Sequence, residues 1–284
     1  MLLQDNLTLV EDCFKDARIT DDLCPSSMKK YASSIRTFFP VIGDKKFQDL
    51  GNEDFDRLII RMKERGASSA RISNIIASMK WITARLQDKG IVSERLNLLT
   101  IRKPKVMKKE TNYLTETEVR QFLDCIKRDI AQRETVRNIR FFALVTLLMQ
   151  TGARIGEALS INRDDIDRQN KEIGIIGKGG KPRKLFLREE TLQLIDNYLS
   201  IRRDSQQALF VTQDRKSRWQ QTDVGRSFRK YKRLSGIKKN FVIHTLRHTF
   251  ATQYLMKGAC INVVQTALGH SDPVTTLKYY LPVA

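Results

Sequence analysis

The chain has 284 residues, enough for two ordinary domains, and 41% of them are hydrophobic, enough for a packed core. Lysine and arginine number 51 against 32 aspartates and glutamates, and the resulting net charge of +19 points to a polyanionic partner. No apolar run approaches the roughly 18 residues of a membrane span, no basic segment followed by an apolar stretch opens the chain, and the four cysteines (Cys13, Cys24, Cys125, Cys260) lack CxxC or zinc spacing. A membrane protein, a secreted disulfide scaffold and a zinc module are thereby excluded, and a reduced cytoplasmic setting is expected.

The first hundred residues read as a small bundle of about four short helices. Met28, Tyr31, Ile35, Phe38 and Phe39 fall at helical spacing after Pro25 and Ser26. Asn52 is the expected N-cap of a helix carrying Phe55, Leu58, Ile59 and Met62, with Gly66 ending it. The next helix carries Ile72, Ile75, Ile76, Met79, Ile82 and Leu86, has Arg71, Lys80 and Arg85 on its polar positions, and stops near Gly90. Residues 102–110 are rich in lysine and arginine, contain Pro104 and are poor in apolar groups, which marks a domain boundary and a tether suited to a phosphate backbone.

Thr115 and Glu118 form a capping box that opens a new helix, with Leu114 and Val119 placed as a staple. The apolar run from Phe141 to Met149 marks a buried helix ending at Gly152. Ile173, Ile175 and Ile176, then a glycine-rich turn, then Leu185, Phe186 and Leu187 read as a β-hairpin. Residues 208–212 are expected to add a strand, and the remainder is helical. The acidic cluster Asp164, Asp165 and Asp167 follows a helix end and reads as turn and cap residues. It does not suit a two-metal nuclease, which needs several converging carboxylates, so no metal and no cofactor is expected.

All three histidines (His244, His248, His270) lie between residues 244 and 270, near Arg247, and Tyr279 and Tyr280 follow. Breaking a phosphodiester without a metal needs a nucleophile, stabilisation of the non-bridging oxygens and a proton for the departing oxygen. Arginine suits the second task, because its fork binds phosphate oxygens in pairs and keeps its charge. A lysine at a turn tip suits the third. A tyrosine hydroxyl, with an ordinary pKa of about 10, becomes a usable nucleophile when surrounding cations favour its ionised form. Tyr279 and Tyr280 are both candidates on this ground. Adjacent residues of a helix point about 100° apart, so only one can face the phosphate.

Four ordered segments carry a family resemblance: Thr151–Glu157 (TGARIGE), Ile176–Arg183 (IGKGGKPR), His244–Thr252 (HTLRHTFAT), and Leu268–Thr276 (LGHSDPVTT) leading to Tyr279. Together they resemble the tyrosine recombinase (phage integrase) family, close to its compact Xer-like members. The resemblance implies a mainly α fold with a small antiparallel β-sheet, arranged as a two-domain C-shaped DNA clamp. Its parts would be a helical core-binding domain (1–101), a basic linker (102–113) and a catalytic domain (114–284). It implies that Arg154 and Arg247 clamp the scissile phosphate and that Tyr279 attacks it, giving a 3′-phosphotyrosyl bond and a free 5′-hydroxyl. Lys178 would protonate the leaving group, His244 and His270 would hydrogen-bond the phosphate, and Glu157 would support the arginine and histidine. The spacing from His270 favours Tyr279 over Tyr280 as nucleophile, and the pattern makes His248 structural.

The same resemblance implies a site-specific recombinase acting without metal or ATP on double-stranded DNA with an inverted-repeat core site. It would work as a homo-tetramer, or a hetero-tetramer with a related recombinase, in the cytoplasm and associated with the nucleoid. A non-catalytic DNA-binding protein of the same fold and a type IB topoisomerase-like relaxase are the competing readings. Arg71, Ser73, Asn74, Lys80 and Arg85 on the third helix of the first domain, with Lys103 and Lys105 of the linker, are the candidate DNA contacts. The absence of an arm-binding domain of the kind large phage integrases carry favours a simple Xer-like or transposon-resolvase role. Five residues follow Tyr279, whereas family members usually continue into a helix that docks on a neighbouring subunit.

Overall fold

The computed structural model describes residues 2–21, 23–93, 96–106, 112–177 and 180–269, which form two compact units, 1–109 and 110–284. The first contains α1 (Leu2–Thr20), α2 (Pro25–Ile42), a 3-10 turn at Phe47–Asp49, α3 (Asn52–Glu64) and α4 (Ser69–Asp88). Pro25 opens α2, where its missing N–H costs nothing. Ser68 caps α4 by accepting from the Arg71 N–H at 3.3 Å. The core gathers Phe38, Phe39, Phe47, Phe55, Leu58, Met79 and Ile82, each at most 1% exposed. Two buried polar residues tie the bundle. Asn6 donates to Lys45 O and accepts from Phe47 N, and Asp54 accepts from Lys45 Nζ at 2.9 Å.

One cap differs from the sequence expectation. Gly51 is the N-cap of α3 and Asn52 is its first helical residue. Asp54 satisfies the Gly51 N–H at 3.0 Å, which frees the Asn52 side chain to bond Asn97 O and Thr100 Oγ1 across the unit. The competing long-range partners outweigh the local cap.

The second unit runs α5 (Glu116–Gln132), α6 (Val136–Thr151), α7 (Ile155–Ser160), β1 (Ile166–Asp167), β2 (Glu172–Ile176), β3 (Pro182–Phe186), α8 (Glu189–Arg202), α9 (Gln221–Leu234), α10 (Ile243–Met256) and α11 (Ile261–Leu268). The capping box of α5 is present. Glu118 accepts from Thr115 N at 2.8 Å, and Thr115 Oγ1 accepts from Glu118 N at 3.2 Å. Helix α6 is apolar nearly all round and packs against α5, α8 and α10, so it forms the centre of the core.

The sheet is antiparallel in the order β1-β2-β3, with Ile173 opposite Leu185 and Ile176 opposite Pro182. The short β1, paired through Ile166 and Ile173, goes beyond the hairpin legible in the sequence. Residues 208–212 do not form a strand. Only single bridges, Asn162 with Ala208 and Val211 with Arg218, occur there. Buried Arg202 takes the Ala208 and Leu209 carbonyls at 2.6 and 2.7 Å, replacing ladder partners with a guanidinium. Asp165 accepts from Asn162 N and Asp167 from Asn170 N, so both are turn groups.

Candidate active site

The segment Thr151–Glu157 turns the end of α6 into the start of α7. Gly152 ends α6 with φ 63°, a left-handed conformation that favours glycine. A Cβ there would also stand 2.5 Å from Phe250 Cδ1 and 3.0 Å from Leu268 Cδ2. The glycine therefore lets α6 approach α10 and α11 closely. Arg154 follows as the N-cap of α7, half-buried.

Arg154 and Glu157 close a local box. Glu157 Oε2 accepts from the Arg154 N–H at 2.7 Å, and Oε1 accepts from the Arg154 guanidinium at 2.8 Å. The carboxylate is 8% exposed. Burial pushes it up, but the Arg154 amide, the Arg154 guanidinium and Arg183 outweigh that and hold Glu157 below the usual carboxylate range.

Arg183, on β3, lies in the hairpin segment Ile176–Arg183, and its sequence context alone assigns it no role. It donates to Glu157 Oε2 at 2.7 Å and to the Ala267 carbonyl at the end of α11. Gly269, at φ 62°, runs close beside it, and a Cβ there would meet Arg183 Cδ at 2.9 Å. Arg183 thus joins the hairpin, the start of α7 and the LGH turn. The signal in the sequence was its place at the end of the hairpin segment, but no periodicity marks a residue whose partners lie on two distant elements.

Arg247 lies on α10 and is 3% exposed. Its guanidinium donates to Gly152 O and Leu268 O, both at 2.7 Å. Those carbonyls lie two residues before Arg154 and two residues before His270. His244 sits one turn earlier on α10, with its ring edge-to-face with His248 at 4.8 Å between centroids. Desolvation and the charges of Arg247 and Arg154 hold the His244 imidazole below its ordinary value, yet the residue remains open to solvent. Arg154 and Arg183 therefore share one buried carboxylate, Glu157, and the charges of Arg154 and Arg247 both act on His244. Such a surplus of forked donors suits a phosphate diester. Lys178, His270, Tyr279 and Tyr280 lie outside the described residues. The chain enters the hairpin tip at Gly177, whose Cβ would come 4.0 Å from Glu157 Oε1, one residue before Lys178.

In the first unit, Arg71 and Asn74 are exposed and line a shallow depression with Lys30 and Thr37. Lys103 and Lys105 are exposed. Ser73 donates to Pro104 O at 3.0 Å, and Lys80 donates to Ile101 O at 3.4 Å. Arg85 pairs with Asp21 and lies 4.9 Å over the Trp81 ring. These three side chains are thus engaged within their own unit. Among the described residues no group of three or more His, Cys, Asp or Glu is placed to hold a metal ion, and no helix is long and apolar enough to cross a membrane.

Comparison with known proteins shows the family to which the chain belongs. The phage integrase family matches residues 112–284. The tyrosine recombinase XerD of Oceanobacillus iheyensis is 29% identical over 281 residues, covering 95% of this chain and 92% of XerD. The TnP I resolvase of Bacillus thuringiensis is 31% identical over 272 residues, covering 90% of this chain and 89% of the resolvase. The fold is similar to that of the XerH site-specific recombinase, solved bound to its palindromic difH substrate in a post-cleavage complex. The TM-score is 0.75 at 22% identity, over 96% of this chain and 80% of XerH. The chain belongs to the phage integrase family and is a tyrosine recombinase, an enzyme that recombines DNA site-specifically by cleaving and rejoining it.

Proposed function

We propose that Arg154 and Arg247 grip the scissile phosphate while Tyr279 attacks phosphorus, forming a 3′-phosphotyrosyl bond and releasing a 5′-hydroxyl. Lys178 at the hairpin tip protonates the leaving oxygen, and His244 and His270 hydrogen-bond the phosphate. Glu157 orients Arg154 from below. The phosphotyrosyl bond keeps the free energy of the broken ester, so rejoining needs no ATP, and the guanidinium pair takes the role a metal would have. The observation that supports this reading is the Arg247 guanidinium bonded to both Gly152 O and Leu268 O, because it ties the turn before Arg154 to the end of α11.

The substrate is a duplex with an inverted-repeat core site, held as a tetramer of this chain, alone or with a related recombinase. The enzyme acts in the cytoplasm on nucleoid DNA. Arg71, Ser73, Asn74, Lys80, Arg85, Lys103 and Lys105 are assigned to DNA contact, with the exposed Arg71, Asn74, Lys103 and Lys105 foremost. The likeness to both the XerD recombinase and the TnP I resolvase supports resolution of DNA dimers or co-integrates as the role.

The test uses a nicked duplex bearing the cognate site, found by genomic footprinting, incubated with protein in chelator. A covalent protein–DNA band supports the proposal. Arg154→Gln should abolish that band while still shifting the duplex. Equal cleavage of a scrambled duplex would favour a relaxase, and no covalent band on a bound cognate site would favour a non-catalytic binder.

A further inference from the structure

A second arginine cluster lies in the catalytic unit, built from residues that the active site does not use. Arg140, in the second turn of α6, is 4% exposed. It donates to Val211 O and stacks 3.9 Å over the Trp219 ring, but its Nε has no hydrogen-bond partner among the described residues. Among the described residues no carboxylate bonds it. It lines a cavity of about 170 Å³ with Arg137 and Arg226, whose exposed guanidinium groups frame the mouth, and with Ser227. The one carboxylate there, Asp223, stands 3.7 Å from Arg226. Three guanidinium groups therefore face a single carboxylate. Burial lowers the Arg140 pKa to about 10, although the charge of Asp223 offsets part of that cost. An oxyanion entering the cavity would add negative charge that Asp223 alone does not supply to three guanidinium groups. The cavity has room for a tetrahedral anion with some water, at roughly 30 Å³ per water.

We propose that the Arg137–Arg140–Arg226 cavity is a non-catalytic phosphate seat that grips a backbone phosphate of the DNA substrate away from the scissile position. The proposal rests on the DNA-recombining reading above. Arg137 and Arg226 reach the phosphate from solvent, and Arg140 holds the inner oxygen. Such a contact fixes the position of the duplex on the catalytic unit without reading sequence.

The test is full-chain DNA binding by fluorescence anisotropy across a salt series, comparing wild type with Arg137→Gln/Arg226→Gln. Both substituted residues are exposed, and an unchanged melting temperature verifies that the fold is kept. The expected result is a slope of log affinity against log salt shallower by about one and binding roughly tenfold weaker near physiological salt, for cognate and scrambled duplexes alike. Identical slopes and affinities would overturn the proposal. Failure of the wild type to bind any duplex would instead strike the DNA reading itself. A second arm titrates inorganic phosphate into Trp81→Phe protein and follows Trp219 fluorescence. A saturable change there, combined with an unaltered DNA slope in the double variant, assigns the cavity to a free anion and overturns the proposal.

Discussion

Arg183 donates to Glu157 Oε2 at 2.7 Å across 26 residues of sequence, and so locks the β-hairpin to the start of α7. The same carboxylate holds Arg154, which makes Glu157 the shared anchor of two arginines. Glu157→Ala would leave both cations uncompensated beside a buried site. A loss of about 3 kcal/mol in unfolding free energy is expected, in line with removal of one partner of a buried pair. Arg183→Gln should leave duplex binding near wild type while slowing strand cleavage on the order of 10²-fold, the penalty of a small misplacement of reacting groups. Denaturant melts and single-turnover cleavage check the two. Because the folded Glu157 carboxyl lies below its unfolded value, its contribution is present at neutral pH. It is lost as pH falls through the acid range below the ordinary carboxylate value, and Glu157→Gln should flatten that acid limb.

Gly152 is required both for its left-handed backbone and for close approach to Phe250. Gly152→Ala is expected to cost about 2–4 kcal/mol, the sum of backbone strain and overpacking. Thermal melting of the purified variant measures it. A melting temperature equal to wild type would mean that α6 and α10 do not pack as described.

The legible part of this molecule is what short-range pattern encodes. The Thr115–Glu118 capping box, the core face of α4 and the β2–β3 hairpin each follow from local spacing, and each is present in the fold. The TGARIGE, HTLR and LGH segments were legible as a set because their order is family-specific. Arg183 was not, because its role comes from partners at 157 and 267 that no spacing rule links. The cap of α3 was misplaced because Asn52 has better partners 45 and 48 residues away. The expected strand at 208–212 failed because Arg202 takes the carbonyls a ladder would use.

His244 titrates below its ordinary value through desolvation and the charges of Arg247 and Arg154. A depressed histidine favours its neutral form, so the associated stability is full above the unfolded value of about 6.5 and is lost as pH falls through the lower folded value. Histidine NMR titration should place His244 below its ordinary value, and a bound duplex should raise it by adding phosphate charge. A free-state value above 6.5 would contradict the cationic surroundings.

Cys24 precedes α2 and is exposed, and hydrogen bonds from Ser26 and Ser27 lower its thiol pKa to about 7. Burial raises the thiols of Cys13 and Cys125. Mass spectrometry after brief iodoacetamide treatment at neutral pH should find Cys24 alkylated well before either of them. Equal rates would show that the serine hydroxyls do not hold the thiolate.

On the proposed mechanism a tyrosine near residue 279 becomes esterified to DNA beside Arg154 and Arg247. The direct measurement is peptide mapping of the covalent complex trapped on a nicked cognate duplex in chelator, with Tyr279→Phe and Tyr280→Phe compared. The expected result is a phosphotyrosyl peptide at Tyr279, with the adduct lost in Tyr279→Phe and kept in Tyr280→Phe. Undiminished covalent capture by a variant with both tyrosines changed to phenylalanine would contradict it.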